Sequence, residues 1–367
     1  MSKTLRALFL GVALVALMIA CVAAILLGEM RRPADAADDR QVEIVVESGE
    51  STSAIATNLR SSGLIRVPQL FTLLVRMRGF EGKLQAGRYL LSPDMTMSQI
   101  ISALQTGIKV EEKQITLVEG LRLEEIAEQI GAAGLPNVTE EGFLAAARNG
   151  AAFKPNHFHL GSLPDNASLE GYLFPDTYRI TATATVTDVV ETLLKRFDEQ
   201  YATFETQVRV PDANVHTIVT LASIVQREAA DTSEMPKIAA VFWNRLKPEN
   251  APQFGGGRLG SDPTVQYVLG QKGNWWPKLD TLTSDEIGNV GANTSRYPYN
   301  TRANGGLPPG PISSPGLDAL RAAAQPDQSA NYLFFVASCD KPGTHQFATS
   351  FEEFQQYEQQ YLSCPKR

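Results

Sequence analysis

Glu228 is the residue whose type and spacing most directly suggest chemistry. A helical pattern covers residues 215–229, and within it Glu228 follows three large apolar residues by seven, four and three positions: Leu221, Ile224 and Val225. These spacings place all four side chains on one stripe of a helix. A carboxyl group among apolar neighbours resists ionisation, so its pKa rises and it can donate a proton near neutral pH. The same spacing also fits an ordinary glutamate at a helix end, either solvated or paired with an arginine.

Other polar and aromatic residues could contact a substrate, although each also has a structural interpretation. Asp262 precedes Pro263, which is typical of a helix N-cap followed by a proline in the first turn. Glu170 and Asp176 each fit either a turn or a substrate contact. Three aromatic residues in the same segment could stack on sugar rings, but core packing is the safer interpretation: Tyr172, Phe174 and Tyr178.

The sequence offers no obvious metal or phosphate site. It has no Gly-rich phosphate loop, no G-x-S-x-G motif and no paired cysteines with metal-binding spacing. His157 and His159 could approach a metal from one strand face, but no third ligand lies near them in the sequence. We therefore interpret both histidines as surface or loop residues and expect no metal site.

The net charge and the cysteine content narrow the class of protein. A net charge of −7 argues against a nucleic-acid binder, which needs a basic face to neutralise phosphates. Three cysteines are too few for a disulfide scaffold, and Cys21 lies inside an apolar run. Cys339 and Cys364 either form a disulfide or remain free thiols, because the sequence does not supply their geometry.

An apolar run near the N-terminus predicts a membrane anchor. Residues 7–28 carry no charge and would form a helix of roughly 33 Å, enough to cross the hydrocarbon core. Residues 1–6 would then be a cytoplasmic leader and residues 29–40 a tether. A cleaved signal peptide fits less well, because the apolar run continues past Cys21. Basic residues flank both ends of the run, so the short leader is what favours a cytoplasmic N-terminus.

The rest of the chain predicts an α+β fold. Residues 41–108 follow a strand, turn and helix pattern that resembles LysM-like glycan-binding modules and also fits a structural spacer. The pattern recurs in residues 109–164, which we interpret as a second LysM-like copy or a connecting segment. From 165 to 367 the chain becomes rich in Gly, Pro, Asn and aromatic residues, as in a mixed α+β catalytic domain with long functional loops.

Four motifs in this last region resemble the MltG (YceG-like) family of endolytic peptidoglycan transglycosylases. They occur in order at residues 169–178 (LEGYLFPDTY), 221–228 (LASIVQRE), 259–265 (LGSDPTV) and 299–316 (YNT, then GLPPGPI). The family's helix usually carries two acids. The first is Gln226 here, and the second, the family's catalytic glutamate, is Glu228. The YNTY motif of the family ends in Arg302 here, so the contact of that tyrosine is not transferred.

The resemblance implies cleavage of the β-1,4 bond between N-acetylmuramic acid and N-acetylglucosamine in nascent peptidoglycan strands. Glu228 would protonate the leaving oxygen and then accept the proton of the muramic acid C6 hydroxyl. The product would be a 1,6-anhydro end, formed without added water, metal or organic cofactor. Candidate substrate-binding residues are Glu170, Tyr172, Asp176, Asp262 and Asn300.

The resemblance also implies a place of action and partners. The chain would be a single-pass protein of the inner membrane with a periplasmic catalytic domain, terminating strands beside glycan-polymerising synthases. One alternative is a non-catalytic, glycan-binding membrane anchor. Another is a muramidase that uses water, with Asp262 or Asp176 as a second carboxylate. A metal-dependent amidase using His157 and His159 is a third.

Overall fold

The computed structural model describes residues 17, 18, 21, 24, 28–106 and 111–364 of the chain. The predicted leader and most of the predicted membrane anchor, residues 7–28, lie outside the described residues. Within the described part, no helix combines the length and the apolar character that crossing a membrane requires. The chain divides into two compact units, Met1–Glu111 and Glu112–Arg367.

The first unit contains the strands and helices that its sequence pattern predicts. In chain order its elements are β1 (Val42–Val46), α1 (Thr52–Ser61), α2 (Pro68–Met77), β2 (Gly87–Leu91) and α3 (Met97–Thr106). β1 and β2 pair antiparallel, with Val42 opposite Leu91. Ser51 caps α1 by accepting a hydrogen bond from the amide of Ala54. The apolar faces of these elements form a core of their own. Its likeness to a LysM module stays a prediction.

The second unit is a mixed α+β assembly in which helices predominate. Its longer elements are β3 (Glu112–Thr116), α4 (Leu123–Ala132), α5 (Glu140–Ala147), β4 (Thr177–Thr181), α6 (Val186–Ala202), α7 (Val215–Glu228), α8 (Met235–Leu246), α9 (Asp262–Leu269), α10 (Ser284–Asn289), α11 (Leu317–Ala324), β5 (Phe334–Ala337), β6 (His345–Ala348) and α12 (Phe351–Leu362). Short 3-10 helices lie between them, at Gly150–Asn156, Phe158–Leu160, Glu205–Gln207, Thr232–Glu234, Ala251–Phe254 and Tyr297–Tyr299.

One continuous core spans the two segments that the sequence suggested were separate. β3 pairs antiparallel with β4, so a strand from residues 109–164 completes a sheet with a strand from residues 165–367. Apolar residues of α4 and α5 belong to the same buried cluster as those of α6, α7 and α8. Residues predicted to form a second module and residues of the predicted catalytic domain therefore share one hydrophobic core. α7 is packed between α8 and α11 inside it.

The C-terminal part of this unit closes on itself covalently. β5 and β6 form an antiparallel hairpin, and α12 packs against both strands. Cys339 lies beyond β5 and Cys364 beyond α12, and the two are joined in a disulfide that the sequence had left open. The hairpin and α12 are thereby tied together at their ends.

Candidate active site

Helix α7 is largely buried and has Glu228 at its C-terminal end. Asn214 caps the helix, its side-chain oxygen accepting a hydrogen bond of 2.9 Å from the Thr217 amide. Every residue from Ile218 to Val225 is buried. Glu228 is the last helical residue, after which Ala229 adopts an extended conformation. The predicted helix and its apolar stripe are thus confirmed, and the stripe ends at the carboxyl group.

The carboxyl group of Glu228 is held in a fixed direction by one hydroxyl group. Ser261 Oγ donates a hydrogen bond of 2.6 Å to Glu228 Oε1. Burial raises the pKa of Glu228, and the negative charge of Asp262 raises it further, whereas the Ser261 hydrogen bond and the Arg245 charge oppose that rise. The residue keeps part of its surface accessible. Glu228 therefore combines a proton-retaining environment with access from outside.

That access is provided by a pocket with a volume of about 570 Å³. Its charged lining residues are Glu228, Arg245, Arg258, Asp262 and Arg302. Its aromatic lining residues are Phe242, Phe254, Phe334, Phe335 and Phe354. β5 and α12 contribute three of these rings, so the disulfide-linked hairpin and helix form one wall. Apolar walls with a few charged groups are typical of small-ligand and sugar-binding pockets.

A chain of hydroxyl groups fixes Ser261 against Glu228. The Ser261 amide donates to Thr301 Oγ1 at 3.1 Å, and the Ser261 carbonyl accepts from Thr264 Oγ1 at 2.7 Å. The hydroxyls of Thr264 and Thr301 lie 2.9 Å apart, and all three residues are buried. Two motifs that are distant in sequence thus build one support for the carboxyl group. No local pattern in the sequence distinguishes Ser261, Thr264 or Thr301, although each lies inside one of the four motifs.

Asp262 lies in the pocket but does not cap a helix, so its interpretation as an N-cap is wrong. Helix α9 begins at Asp262 itself, and the cap position belongs to Ser261, whose backbone is extended. The Asp262 carboxylate instead pairs with Arg302 Nε at 2.6 Å, both side chains being about half exposed. The guanidinium gives this carboxylate a charge-assisted hydrogen-bond partner.

Arg245 supplies a fixed positive charge at the same pocket. Its Nε donates to the Leu333 carbonyl at 2.8 Å, and its Nη1 donates to the Leu259 carbonyl. Its guanidinium lies 5.0 Å from the centroid of the Phe254 ring. Burial lowers the pKa of Arg245 to about 10, and the nearby Glu228 opposes that shift, so Arg245 stays charged at neutral pH. No local sequence signal distinguished this arginine from others.

Glu170 is also a buried carboxyl, but it lies away from the pocket lining. Its Oε1 accepts a hydrogen bond of 3.0 Å from the Leu123 amide at the start of α4, and its Oε2 accepts one of 3.3 Å from the Tyr267 hydroxyl. Burial raises the pKa of Glu170 to about 8, with a smaller contribution from the charge of Glu124. In this structure Glu170 joins α4 to α9.

Tyr172 and Asp176 have structural partners outside the pocket. Tyr172 is fully buried in the core, and its hydroxyl lies 3.0 Å from His216 Nδ1. Asp176 Oδ2 accepts a hydrogen bond of 2.7 Å from Arg196 Nε, which joins the start of β4 to α6. The structure therefore does not bring either residue to Glu228.

Asn300 is fully buried and supports the loop that carries Arg302. Its side-chain nitrogen donates to the carbonyls of Ile287 and Val290 at 2.8 and 3.2 Å. Its side-chain oxygen accepts a hydrogen bond of 3.1 Å from the Arg302 amide. Asn300 does not line the pocket, and it acts on the pocket through its neighbours Thr301 and Arg302.

His157 and His159 were interpreted as surface or loop residues, and the surface part of that interpretation is wrong because both are buried. They do lie in an irregular segment, at and next to the short 3-10 helix Phe158–Leu160. His157 lies 2.5 Å from Asp198 and 2.8 Å from Glu191, and His159 lies 2.7 Å from Asp198 and 2.9 Å from Glu205. The carboxylates of α6 and the following turn satisfy both rings, which removes the cost of burying them. Among the described residues, no group of three or more His, Cys, Asp or Glu side chains is placed to hold a metal ion.

Comparisons with known proteins agree with this geometry. A family model described as YceG-like matches residues 44–360. A protein of Bacillus subtilis (strain 168) named endolytic murein transglycosylase is 31% identical over 338 residues, which is 88% of this chain and 85% of that protein. A protein of the same name from Streptococcus pneumoniae (strain D39) is 29% identical and is matched over 83% of this chain, which spans only 56% of its length.

A solved structure is similar as well. The crystal structure of a YceG-like protein from Listeria monocytogenes is 30% identical to this chain, with a TM-score of 0.54. The match covers 87% of this chain and 99% of that structure. The similarity therefore extends through both compact units.

Proposed function

This chain belongs to the YceG-like family, and from that membership and the pocket around Glu228 we propose that it is an endolytic peptidoglycan transglycosylase. The observation that carries the proposal is the position of Glu228: an apolar helix stripe ends in a half-buried, hydrogen-bonded carboxyl group that opens onto a pocket of about 570 Å³. Relatives that share about 30% of its residues are named for this activity.

The surroundings of Glu228 suit a group that gives up and regains a proton. In the protonated form, which burial favours, Glu228 donates to the glycosidic oxygen as the bond between the two sugars breaks. The resulting carboxylate is stabilised by the Ser261 hydroxyl and by the charge of Arg245. It then accepts the proton of the C6 hydroxyl as that oxygen closes on C1. Because the nucleophile belongs to the substrate, one carboxyl group suffices.

A water-using muramidase is the second candidate, because Asp262 provides another carboxylate at the same pocket. The ion pair with Arg302 occupies that carboxylate and favours the transglycosylase. Mass analysis of digested strands separates the two, since a reducing end is one water heavier than an anhydro end. We expect anhydro ends from the intact protein. Reducing ends would replace the proposal with the muramidase.

Substitution of Glu228 tests the catalytic role itself. Glu228→Gln keeps the size and the hydrogen bond to Ser261 but has no proton to transfer. We expect anhydro products to disappear while glycan strands still bind. A product profile that is identical with and without the substitution would contradict the assignment of Glu228. Retained binding with no products from either protein would favour the non-catalytic anchor.

We further propose that the chain acts at the inner membrane, with residues 7–28 as its anchor and the catalytic unit in the periplasm. The support is the uncharged run in the sequence, which is long enough to cross a bilayer. Work beside glycan-polymerising synthases would follow, because nascent strands are made at that surface. Removal of residues 1–28 should release the protein from washed membranes. A protein that sediments with membranes after this removal would contradict the anchor.

A further inference from the structure

The pocket around Glu228 contains more positive charge than its acids can balance. Three arginines and two acids line it, and Asp262 is already paired with Arg302. Arg245 is half-buried and donates hydrogen bonds to the backbone carbonyls of Leu333 and Leu259. Arg258 is exposed, and no carboxylate among the described residues lies within ion-pairing distance of its guanidinium. This local excess occurs in a chain whose net charge is −7.

Arg258 is presented by a backbone turn that is itself held in place. The turn consists of three glycines with positive φ values, Gly255, Gly256 and Gly257. Residues that carry a side chain rarely adopt this backbone conformation. The Arg258 amide donates to the Phe254 carbonyl at 2.9 Å, and the Gly257 carbonyl accepts from the Gly306 amide at 3.0 Å.

The absence of a side chain at Gly255 leaves room for the guanidinium. A Cβ atom at that position would lie only 3.1 Å from Arg258 Nε, so the arginine side chain lies directly against the turn. The turn thus fixes where the positive charge of Arg258 stands at the pocket, and this preorganisation lowers the entropic cost of binding a ligand there.

Arg302 offers a second set of donors at the same pocket. Only its Nε contacts Asp262, at 2.6 Å, which leaves its terminal nitrogens available to a ligand. Arginine guanidinium groups bind carboxylates with two parallel hydrogen bonds. The pocket therefore combines an acid for the reaction with an anion-binding edge that the reaction chemistry does not use.

We propose that Arg258, assisted by Arg302, forms a subsite for a carboxylate of the peptide attached to the muramic acid of the substrate. This inference rests on the proposed function, because the glycan strand defines which anions are present. While the peptides are attached, the lactyl carboxyl groups of muramic acid are held in amide bonds and carry no charge, so the peptide carboxylates are the anions that repeat along the strand. A diphosphate occurs only at a lipid-linked end, far from a bond that is cut inside the strand. The subsite would make the enzyme prefer peptide-bearing strands over bare glycan.

A binding experiment tests the subsite without relying on turnover. The full chain carrying Glu228→Gln is titrated with a tetrasaccharide fragment that bears its peptides, and with a bare fragment from which the peptides are removed. In the bare fragment the lactyl carboxyl groups are capped as simple amides, because removal of the peptides would otherwise leave a free carboxylate on each muramic acid. We expect the peptide-bearing fragment to bind about tenfold more tightly, the effect of one charge-assisted hydrogen bond. Adding Arg258→Gln should remove that difference. Arg179→Gln, at an exposed position on β4, is the matched control.

Salt provides a second readout that needs no further substitution at the subsite. The difference between the two fragments should shrink as sodium chloride rises from about 0.05 M to about 0.5 M, because an exposed ion pair is screened. Equal affinities for the two fragments would overturn the proposal, and so would a difference that survives Arg258→Gln. A third fragment, peptide-free but ending in a diphosphate, identifies the other anion source. A loss of affinity in Arg258→Gln for this fragment alone would also overturn the proposal.

Failure of the subsite and failure of the proposed function give different results. If the intact protein releases no anhydro ends from either kind of strand, the transglycosylase assignment fails, while the binding comparison still decides the subsite. If anhydro ends appear at equal rates from peptide-bearing and bare strands, and Arg258→Gln changes neither rate, the transglycosylase assignment is retained and the subsite is rejected.

Discussion

Two glutamates of the second unit, the buried Glu170 and the half-buried Glu228, have raised pKa values and different surroundings. Glu228 ends helix α7, touches Ser261 and opens onto the pocket. Glu170 is sealed between the first turn of α4 and the Tyr267 hydroxyl. Burial is the main cause of the raised pKa in both cases. The comparison shows that a proton-retaining carboxyl group becomes a candidate acid only where a substrate can reach it.

The largest expected contrast is between matched substitutions of these two residues. Glu228→Gln should lower kcat by about 10³-fold, since a positioned general acid contributes between about 10²- and 10⁴-fold. Glu170→Gln should lower kcat by less than about threefold, because that group lies outside the reacting atoms. Release of anhydro ends measures both. Equal losses in two variants with unchanged thermal unfolding would erase the distinction between the two sites.

The ionisation of Glu170 should be measurable in the pH dependence of the free energy of unfolding. The folded pKa of about 8 lies above the ordinary value of 4.5, so folding retains a proton that the unfolded chain releases. Stability linked to Glu170 is complete below pH 4.5 and is lost as the pH rises through 8. Glu170→Gln removes this loss. Relative to the unsubstituted protein, it should gain about 2 kcal/mol between pH 5 and pH 8, local relaxation keeping the gain below the full shift.

Denaturant titrations at several pH values measure this gain. A stability difference between Glu170→Gln and the unsubstituted protein that does not vary with pH would mean that Glu170 is ionised in the folded state. In that case Glu170 and Glu228 would not share a raised pKa.

Substitution of Ser261 tests whether its hydrogen bond controls the protonation of Glu228. Ser261→Ala removes the hydrogen bond that stabilises the ionised form of Glu228, so the pKa of Glu228 should rise further. The alkaline limb of the kcat profile should then move to higher pH, because the protonated acid persists longer. We expect kcat to fall about tenfold at the optimum, as the carboxyl group loses its orientation.

A pH–rate profile measures both effects, and Ser102→Ala, at an exposed position of α3, is the control. A lower kcat without any movement of the alkaline limb would show that Ser261 supports the fold and does not act on the proton of Glu228.

The smallest expected effect concerns the cluster that His157 and His159 form with the carboxylates of α6 and the following turn. In this cluster, unlike at Glu170 and Glu228, burial does not keep the carboxyl groups protonated. Burial alone would lower the pKa of His159, but its hydrogen bonds to Asp198 and Glu205 outweigh burial and raise it. The stability that this ring contributes is present below pH 6.5 and is lost as the pH rises through the raised pKa. His159→Gln should therefore lower Tm by roughly 2–4 °C at pH 6 and by less at pH 9. An equal loss at both values would assign His159 to packing alone.

Local patterns in the sequence were enough to predict several elements and one catalytic candidate. The apolar spacing of residues 215–229 predicted α7 within one residue at its end, because periodic burial of one helix face is a local property. The same spacing placed Glu228 on the buried stripe. The ordered motifs then indicated the family, which the comparisons confirmed.

Local patterns failed where the deciding partner is distant in sequence. Asp262 and Pro263 resemble a cap and a first turn, but Arg302, forty residues later, takes the carboxylate into an ion pair. Ser261 meets Glu228 across 33 residues. The boundary predicted at residue 165 falls within one core, because β3 finds its partner in β4. Each of these contacts depends on the tertiary arrangement of segments that are distant in sequence, and short-range periodicity does not predict that arrangement.

The sequence by itself therefore determined that Glu228 ends an apolar helical stripe and that the chain carries the motifs of its family. Only the tertiary structure decided which polar groups surround that carboxyl group and which of the two glutamates with raised pKa values lines a pocket. The physical reason is that helix periodicity fixes the direction of a side chain relative to its own helix, whereas pKa, access and charge balance depend on groups from every element packed around it.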